Sequence, residues 1–480
     1  MNRHEWKRWW EGTLLITRRE VRDQLRDWRI VLPIVGLTLF FPLLMNATAK
    51  AMVNFVARYG ADIVAERLFP FLMMVVGFFP ASISLVVALE SFAGERERRT
   101  MEPLLVAPLT DAQLYVGKLL AVLFLPLTVS YVGVGVYVLG LHLVTGWWPS
   151  AILLGMVFLL TTVQAVMMVS AAVVISTQAT SVRAANLLAS LVIVPVALLL
   201  QGESVMMFYQ HYGVLWATAA AVLLVAVLTS RMGLAHFNRE NLLGREVDIL
   251  NIRWMWGVFW KAFRGEAAGV RAWYGEVWQD VKSLGWLMVV AFALMGGAVA
   301  LGVWLAKDIP AQALSAPSPM EFRATLRSGT LGGLTVVGWR GSLFVWWHNI
   351  RAMLLAAVGA GFTFGVLGIL IPLLPYGLIG GALAVFARSG LFSPWTAFAV
   401  MVLPHGVVEI PATALFVAAT LRLGASLASP APGESLGAFW LRAWARWWRI
   451  FLGVVVPLMA VAAVLEANLT PLIVSRYLLH

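Results

Sequence analysis

Apolar runs of about twenty residues, uninterrupted by charge, recur along the chain, the length a helix needs to cross the ~30 Å hydrocarbon core of a bilayer. The pattern predicts spans at about 30–48, 68–89, 116–141, 150–176, 184–201 and 213–230, then at about 284–305, 349–371, 373–388, 395–420 and 450–467. Barrel strands would instead alternate apolar and polar residues over roughly ten positions. Backbone groups in lipid must be satisfied internally, so runs of this length are helices. The expected fold class is all-α: a polytopic integral membrane protein with about eleven transmembrane helices, six and then five.

Polar segments divide the runs. Residues 1–29 read as an amphipathic N-terminal helix lying in the membrane interface: Leu14, Val21, Leu25 and Trp28 follow one face, and Arg18, Arg22, Arg26 and Arg29 another. The stretch 231–283, containing FNRENLLGREVD and a Trp-rich amphipathic run, reads as a cytoplasmic linker between the six-span block 30–230 and the five-span block 284–480. Residues 306–343 form a loop rich in Ala, Pro, Ser and Gly. Span 373–388 is short and rich in Gly and Pro, so a re-entrant segment competes with a full crossing there.

Charge then sets an orientation. With the N-terminus cytoplasmic, inside segments hold eight Lys/Arg in 1–29, four in 90–118, Arg183, eight in 231–282 and four in 421–449, 25 of the 35 in the chain. That bias follows the positive-inside tendency and places the C-terminus outside. The net charge of +11 is spread beside hydrophobic spans, which points to topology and anionic lipid, with no nucleic-acid partner expected. The absence of cysteine excludes disulfides, thiolate metal sites and cysteine nucleophiles. MNRHEWKRWWEG lacks a short apolar core with a small-residue cleavage site and reads as retained. Trp pairs 9–10, 147–148, 346–347 and 447–448 sit near predicted span ends, as an interfacial belt does.

The loop after the second span carries the densest chemistry: Glu90-Ser91-Phe92-Ala93-Gly94-Glu95-Arg96-Glu97-Arg98-Arg99-Thr100-Met101-Glu102-Pro103-Leu104-Leu105-Val106-Ala107-Pro108-Leu109-Thr110, then Gly117-Lys118. A charged turn leads to a short helix exposing Leu104 and Leu105, Pro108 stops it, and Thr110-Asp111 caps the next span. The pattern E-R-E-x-x-T-x-E-x-L-L-x-x-P with the following G-K resembles the ABC-2 type permease family over residues ~10–235, departing at Arg99, where glycine is usual. The resemblance implies an interfacial helix, six spans and a coupling helix between spans two and three. By the same resemblance Glu95, Glu97, Thr100, Glu102, Leu104, Leu105, Pro108, Gly117 and Lys118 face an ATPase; an ordinary charged, helix-capping loop is the alternative. No G-x-x-x-x-G-K-[ST] phosphate loop occurs, and Lys118 is followed by Leu119. No cofactor is therefore expected on this chain; ATP and Mg would be held by a separate ABC ATP-binding subunit. The resemblance further implies a homodimeric pore in a bacterial cytoplasmic membrane.

In the second block, TAFAVMVLPHGVVEIPATALFVAATLRLG places His405 and Glu409 four apart on one helical face, between Pro404 and Pro411. Glu466 lies in VLEANLTP of the last span. Ionisable residues at membrane depth are costly and suggest a functional site. A packing pair, a proton or ion relay and a metal site stay open, although two ligands are too few for a metal and H-E-x-x-H is absent; no metal is therefore expected. H-N-I-R at 348–351, Gly359-Gly361-Gly365-Gly368, P-H-G-V-V-E and L-E-A-N-L-T-P resemble the stage II sporulation protein M family over about 280–476. Pro375-Tyr376-Gly377 stands where Asn-Gly is common in that family. Some of its members take part in spore engulfment and cell-wall remodelling. The two resemblances imply a non-enzymatic fusion protein: the permease subunit of an ABC exporter joined to a sporulation-M-like half. A non-transporting envelope scaffold and a passive ion pathway through His405 and Glu409 are the competing readings.

Overall fold

The computed structural model describes residues 3–57, 62–94, 108–178, 182–210, 212–236, 252–307, 330–331, 334–335, 338–389, 393–428 and 436–479. The chain forms two compact units, Met1–Leu250 and Asn251–His480, and the break falls inside the stretch 231–283.

The first unit opens with α1 (Arg3–Arg26), followed by α2 (Trp28–Ala57) and α3 (Asp62–Leu89). A π-helical turn, Glu90–Gly94, extends α3. Four further helices complete the unit: α4 (Asp111–Thr145), α5 (Ala151–Gln178), α6 (Val182–Phe208) and α7 (Tyr212–His236). Thr110 starts α4 with a capping box. Its hydroxyl accepts from the Gln113 N–H at 3.2 Å while Gln113 Oε1 accepts from the Thr110 N–H at 2.9 Å, satisfying donors the helix itself cannot. Gly146 ends α4 with φ of 72°, a left-handed cap that bonds back to the His142 carbonyl. Helices α2, α3 and α4 pack together, α3 also meets α5 and α6, and α5 lies against α7. Met73, Leu85, Leu114, Tyr137, Met156 and Leu160 fill the core between them. Prolines within α2, α3, α4 and α6 are tolerable because neighbouring helices can satisfy the freed carbonyls.

The second unit begins with α8 (Ile252–Arg264) and α9 (Val270–Lys282), then α10 (Gly285–Ala306). A small hairpin pairs β1 (Thr330–Leu331) with β2 (Leu334–Thr335). Next come α11 (Trp339–Phe362) and α12 (Val366–Ser389). A continuous run joins α13 (Pro394–Ala397), the π-turn Phe398–Val402 and α14 (Leu403–Ala428). The last run joins α15 (Leu436–Ile450), the π-turn Phe451–Val455, α16 (Val456–Val464), the π-turn Leu465–Leu469 and α17 (Thr470–Leu479).

Helices α8 and α9 pack on α15, so this part of the stretch read as a linker belongs to the second unit. Arg449 of α15, almost fully buried, ties α9 to it. Its guanidinium donates to Asp280 Oδ2 at 2.7 Å and to Glu276, both on α9, and Arg422 of α14 reaches Asp280 at 3.8 Å. The partners lie 169 and 173 residues apart in sequence from Arg449, beyond the reach of any local pattern.

Span limits in this unit differ from expectation. The apolar run 349–371 is broken at residues 363–365, where Phe364 and Gly365 have φ of 49° and 88°. Helix α11 therefore ends at Phe362, and α12 takes over at Val366. The segment 373–388 becomes part of a 23-residue candidate span, Val366–Arg388, because Pro372 and Pro375 sit inside α12. Among the described residues ten helices are long and apolar enough to cross a membrane. The eleventh predicted segment is α6, 27 residues long, of which Pro195–Phe208 counts as a shorter apolar helix. The fold is a polytopic all-α membrane architecture.

Candidate functional site

In the first unit the base of the loop after α3 is built from three elements. Phe92 of the π-turn is buried, Pro108 is exposed, and the Thr110 cap launches α4. Helix α1 lies along the start of α4. Gly117 makes that approach possible: a Cβ there would stand 3.0 Å from both Ile16 and the Thr13 carbonyl oxygen. The Thr17 hydroxyl donates to the Gly117 carbonyl at 3.1 Å, and Gln113 Nε2 donates to the Trp9 carbonyl at 3.1 Å.

At the centre of this junction Lys118 is 1% exposed and Glu20 of α1 8%, with Nζ and Oε2 3.2 Å apart. The same ammonium lies 5.6 Å from the centroid of the Phe92 ring. One buried cation thus joins α1, α4 and the π-turn after α3. A charge in such a place requires a counter-charge, and the inward stripe of α1, Thr13, Ile16, Glu20 and Gln24, supplies it. On α1, Leu14 and Leu25 stay exposed, as does Trp28 at the start of α2.

Gly117 and Lys118, expected to face an ATPase, therefore face α1 instead; both are consumed by helix docking. Pro108 keeps an exposed position at the end of the loop. Glu95, Glu97, Thr100, Glu102, Leu104 and Leu105 lie outside the described residues. Sequence reasoning missed Glu20, although Thr13, Ile16, Glu20 and Gln24 recur at steps of three and four, the signature of one helical face.

A second missed carboxylate is Glu203 on α6. It is 2% exposed and accepts from Gln164 Nε2 of α5 at 2.6 Å. Its signal was a lone acid in the apolar run LLLQGESVMMF.

In the second unit the structure brings together His405, Glu409 and Glu466, as three partly buried groups. His405 and Glu409 share a face of α14, with Nε2 3.8 Å from Glu409 Oε2. Glu466 comes from the π-turn Leu465–Leu469. One potential ligand atom from each of the three lies within 4.8 Å of the others. The other ring nitrogen, Nδ1, is 3.0 Å from the Thr470 hydroxyl. Asn468 donates to Ser342 Oγ at 3.0 Å, holding the same π-turn to α11. A π-turn inserts an additional residue into the helix and redirects its side chains, a feature frequent at functional sites. Another, Phe398–Val402, immediately precedes α14.

Residues 14–202 match the family described as ABC-2 family transporter protein, and residues 291–471 match Stage II sporulation protein M. Among curated proteins and solved structures, nothing matches the chain. The first match starts within α1 and contains the whole Glu20–Lys118–Phe92 junction; the second contains His405, Glu409 and Glu466. This chain is a multi-pass membrane protein that joins an ABC-2 transporter-family region, as found in membrane transporter subunits, to a Stage II sporulation protein M-family region.

Proposed function

We propose that this chain is the permease subunit of an ABC exporter, driven by a separate ATP-binding subunit that holds ATP and Mg and grips the loop 95–107. The observation that carries the reading is the Lys118 junction. Both ends of the loop, the π-turn after α3 and the capped start of α4, are tied through Lys118 and Phe92, and Glu20 adds α1 to the same body. A force applied to the loop would move these three helices together rather than bend one of them. Close-packed interiors transmit displacement instead of absorbing it. Two copies of the chain would supply the two permease halves such an exporter needs, since each copy carries one ABC-2 region.

The test is to purify the chain from its native host with its bound ATP-binding subunit and to compare ATP hydrolysis in membranes with that of the ATP-binding subunit alone. Glu97→Ala and Leu105→Asp should leave the permease folded but remove its influence on hydrolysis, so the two rates become equal. Parental hydrolysis and parental transport in both variants would remove the coupling role.

The match of residues 291–471 supports a second reading, in which ATP-driven motion is passed to envelope-remodelling proteins and no cargo crosses. Cell-wall hydrolases co-purifying with the complex would favour it.

A further inference from the structure

We propose that His405, Glu409 and Glu466 form a binding site for one divalent metal ion of the zinc class within the second unit. Two ligands spaced four apart on one helix were too few to suggest a metal from sequence. The fold supplies the third from the final helical run, and the three ligand atoms lie within 4.8 Å of one another.

The geometry is close to that of a loaded site. Ligand atoms at ~2.0–2.2 Å from a tetrahedral zinc stand about 3.3–3.6 Å apart. His405 Nε2 and Glu409 Oε2 are already at 3.8 Å, so small side-chain rotations would close the set. The histidine is held for this role. Its Nδ1 is engaged by Thr470 Oγ1 at 3.0 Å, which directs Nε2 toward the carboxylates. A partner on the far ring nitrogen that fixes orientation is the usual companion of a metal-bound imidazole. Thr470 Oγ1 also approaches the Leu465 carbonyl at 3.4 Å, so the π-turn that presents Glu466 positions the hydroxyl as well.

Charge points the same way. Two carboxylates share the cluster, and among the described residues no Lys or Arg forms an ion pair with either. One imidazolium could balance only one of them. A divalent cation with a neutral imidazole balances both, leaving the cluster electrically neutral in a span where net charge is costly. One nitrogen and two oxygen ligands suit zinc and its neighbours rather than soft, thiolate-seeking ions. The side chains of His405 and Glu409 are 14% and 25% exposed, and three protein ligands leave a fourth position open, as in zinc sites that also bind water or a small ligand.

The full-length protein, purified in detergent and stripped with a chelator, would be titrated with Zn²⁺ by calorimetry and with Co²⁺ by visible absorption. One equivalent should bind, with the intense d–d bands of a low-coordinate Co²⁺ site, and Zn²⁺ should raise the thermal midpoint. His405→Ala, Glu409→Gln and Glu466→Gln should each remove the bands. Thr470→Val, which keeps all three ligands, should retain them but weaken affinity roughly 10–100-fold. The absence of saturable binding, or unchanged bands in a Glu466→Gln protein, would overturn the proposal. If the ligand variants fail to fold, Thr470→Val decides: parental affinity in that variant also overturns it.

Discussion

Lys118 is the residue on which the first unit turns. Its ammonium has Glu20 at 3.2 Å and the Phe92 ring at 5.6 Å. Removing one member of a buried ion pair strands the other, at a cost of about 3–5 kcal/mol, whereas replacing both with apolar side chains is often neutral. Lys118→Met and Glu20→Met alone should therefore lower the thermal midpoint strongly, and the double variant should recover most of the loss. If the pair transmits motion as well as stability, the folded double variant will still show altered coupling of ATP hydrolysis. Additive losses in the double variant would show that the two groups do not act as a pair. A motif resemblance assigned Lys118 to a partner, and only the packing of α1 revealed its occupant. The loop motif records which residues occur together, while burial depends on a helix a hundred residues away in sequence.

The elements of the second unit show what hydropathy can and cannot define. The existence of the spans was legible, because twenty apolar residues have few other uses. Their ends were not. The run from Leu354 to Leu374 contains no charge and one polar side chain, Thr363, and the turn inside it shows in the positive φ of Phe364 and Gly365. Amphipathic α8 and α9 read as a linker because nothing around Glu276 and Asp280 of α9 gave a sign of the arginine that binds them. Helix approach is equally hidden until partners are known. Gly380 lies where a Cβ would stand 2.1 Å from the Val299 carbonyl oxygen, at the crossing of α10 and α12, while Gly155 of α5 has nothing within 4 Å. Gly380→Ala should force the two helices apart and lower the thermal midpoint. Gly155→Ala should be neutral or slightly stabilising, since alanine is favoured over glycine within a helix by about 1 kcal/mol. Equal shifts in the two variants would refute the close crossing.

At the scale of the molecule, two units coincide with two family matches, 14–202 in the first and 291–471 in the second. In the first, a buried ion pair ties helices around the base of a loop; in the second, three partly buried groups with potential ligand atoms come together from two spans. The two-part organisation was legible because composition shifts at 231–283, and the motif residues of each half are local in sequence. The cross-helix partners Glu20, Glu203 and Asp280 were not, because nothing in their own neighbourhoods names Lys118, Gln164 or Arg449. The central claim, that the loop 95–107 is gripped by an ATP-binding subunit, can be tested directly because the chain contains no cysteine. Leu105→Cys and, as a membrane-exposed control, Leu139→Cys, which is 56% exposed on α4, would each be labelled with a benzophenone maleimide in native membranes and irradiated. The account predicts a covalent adduct between the Leu105→Cys chain and an ATP-binding subunit, its yield changing with nucleotide, and none from Leu139→Cys. Purification without any ATP-binding subunit, or equal adduct from both positions, would contradict it.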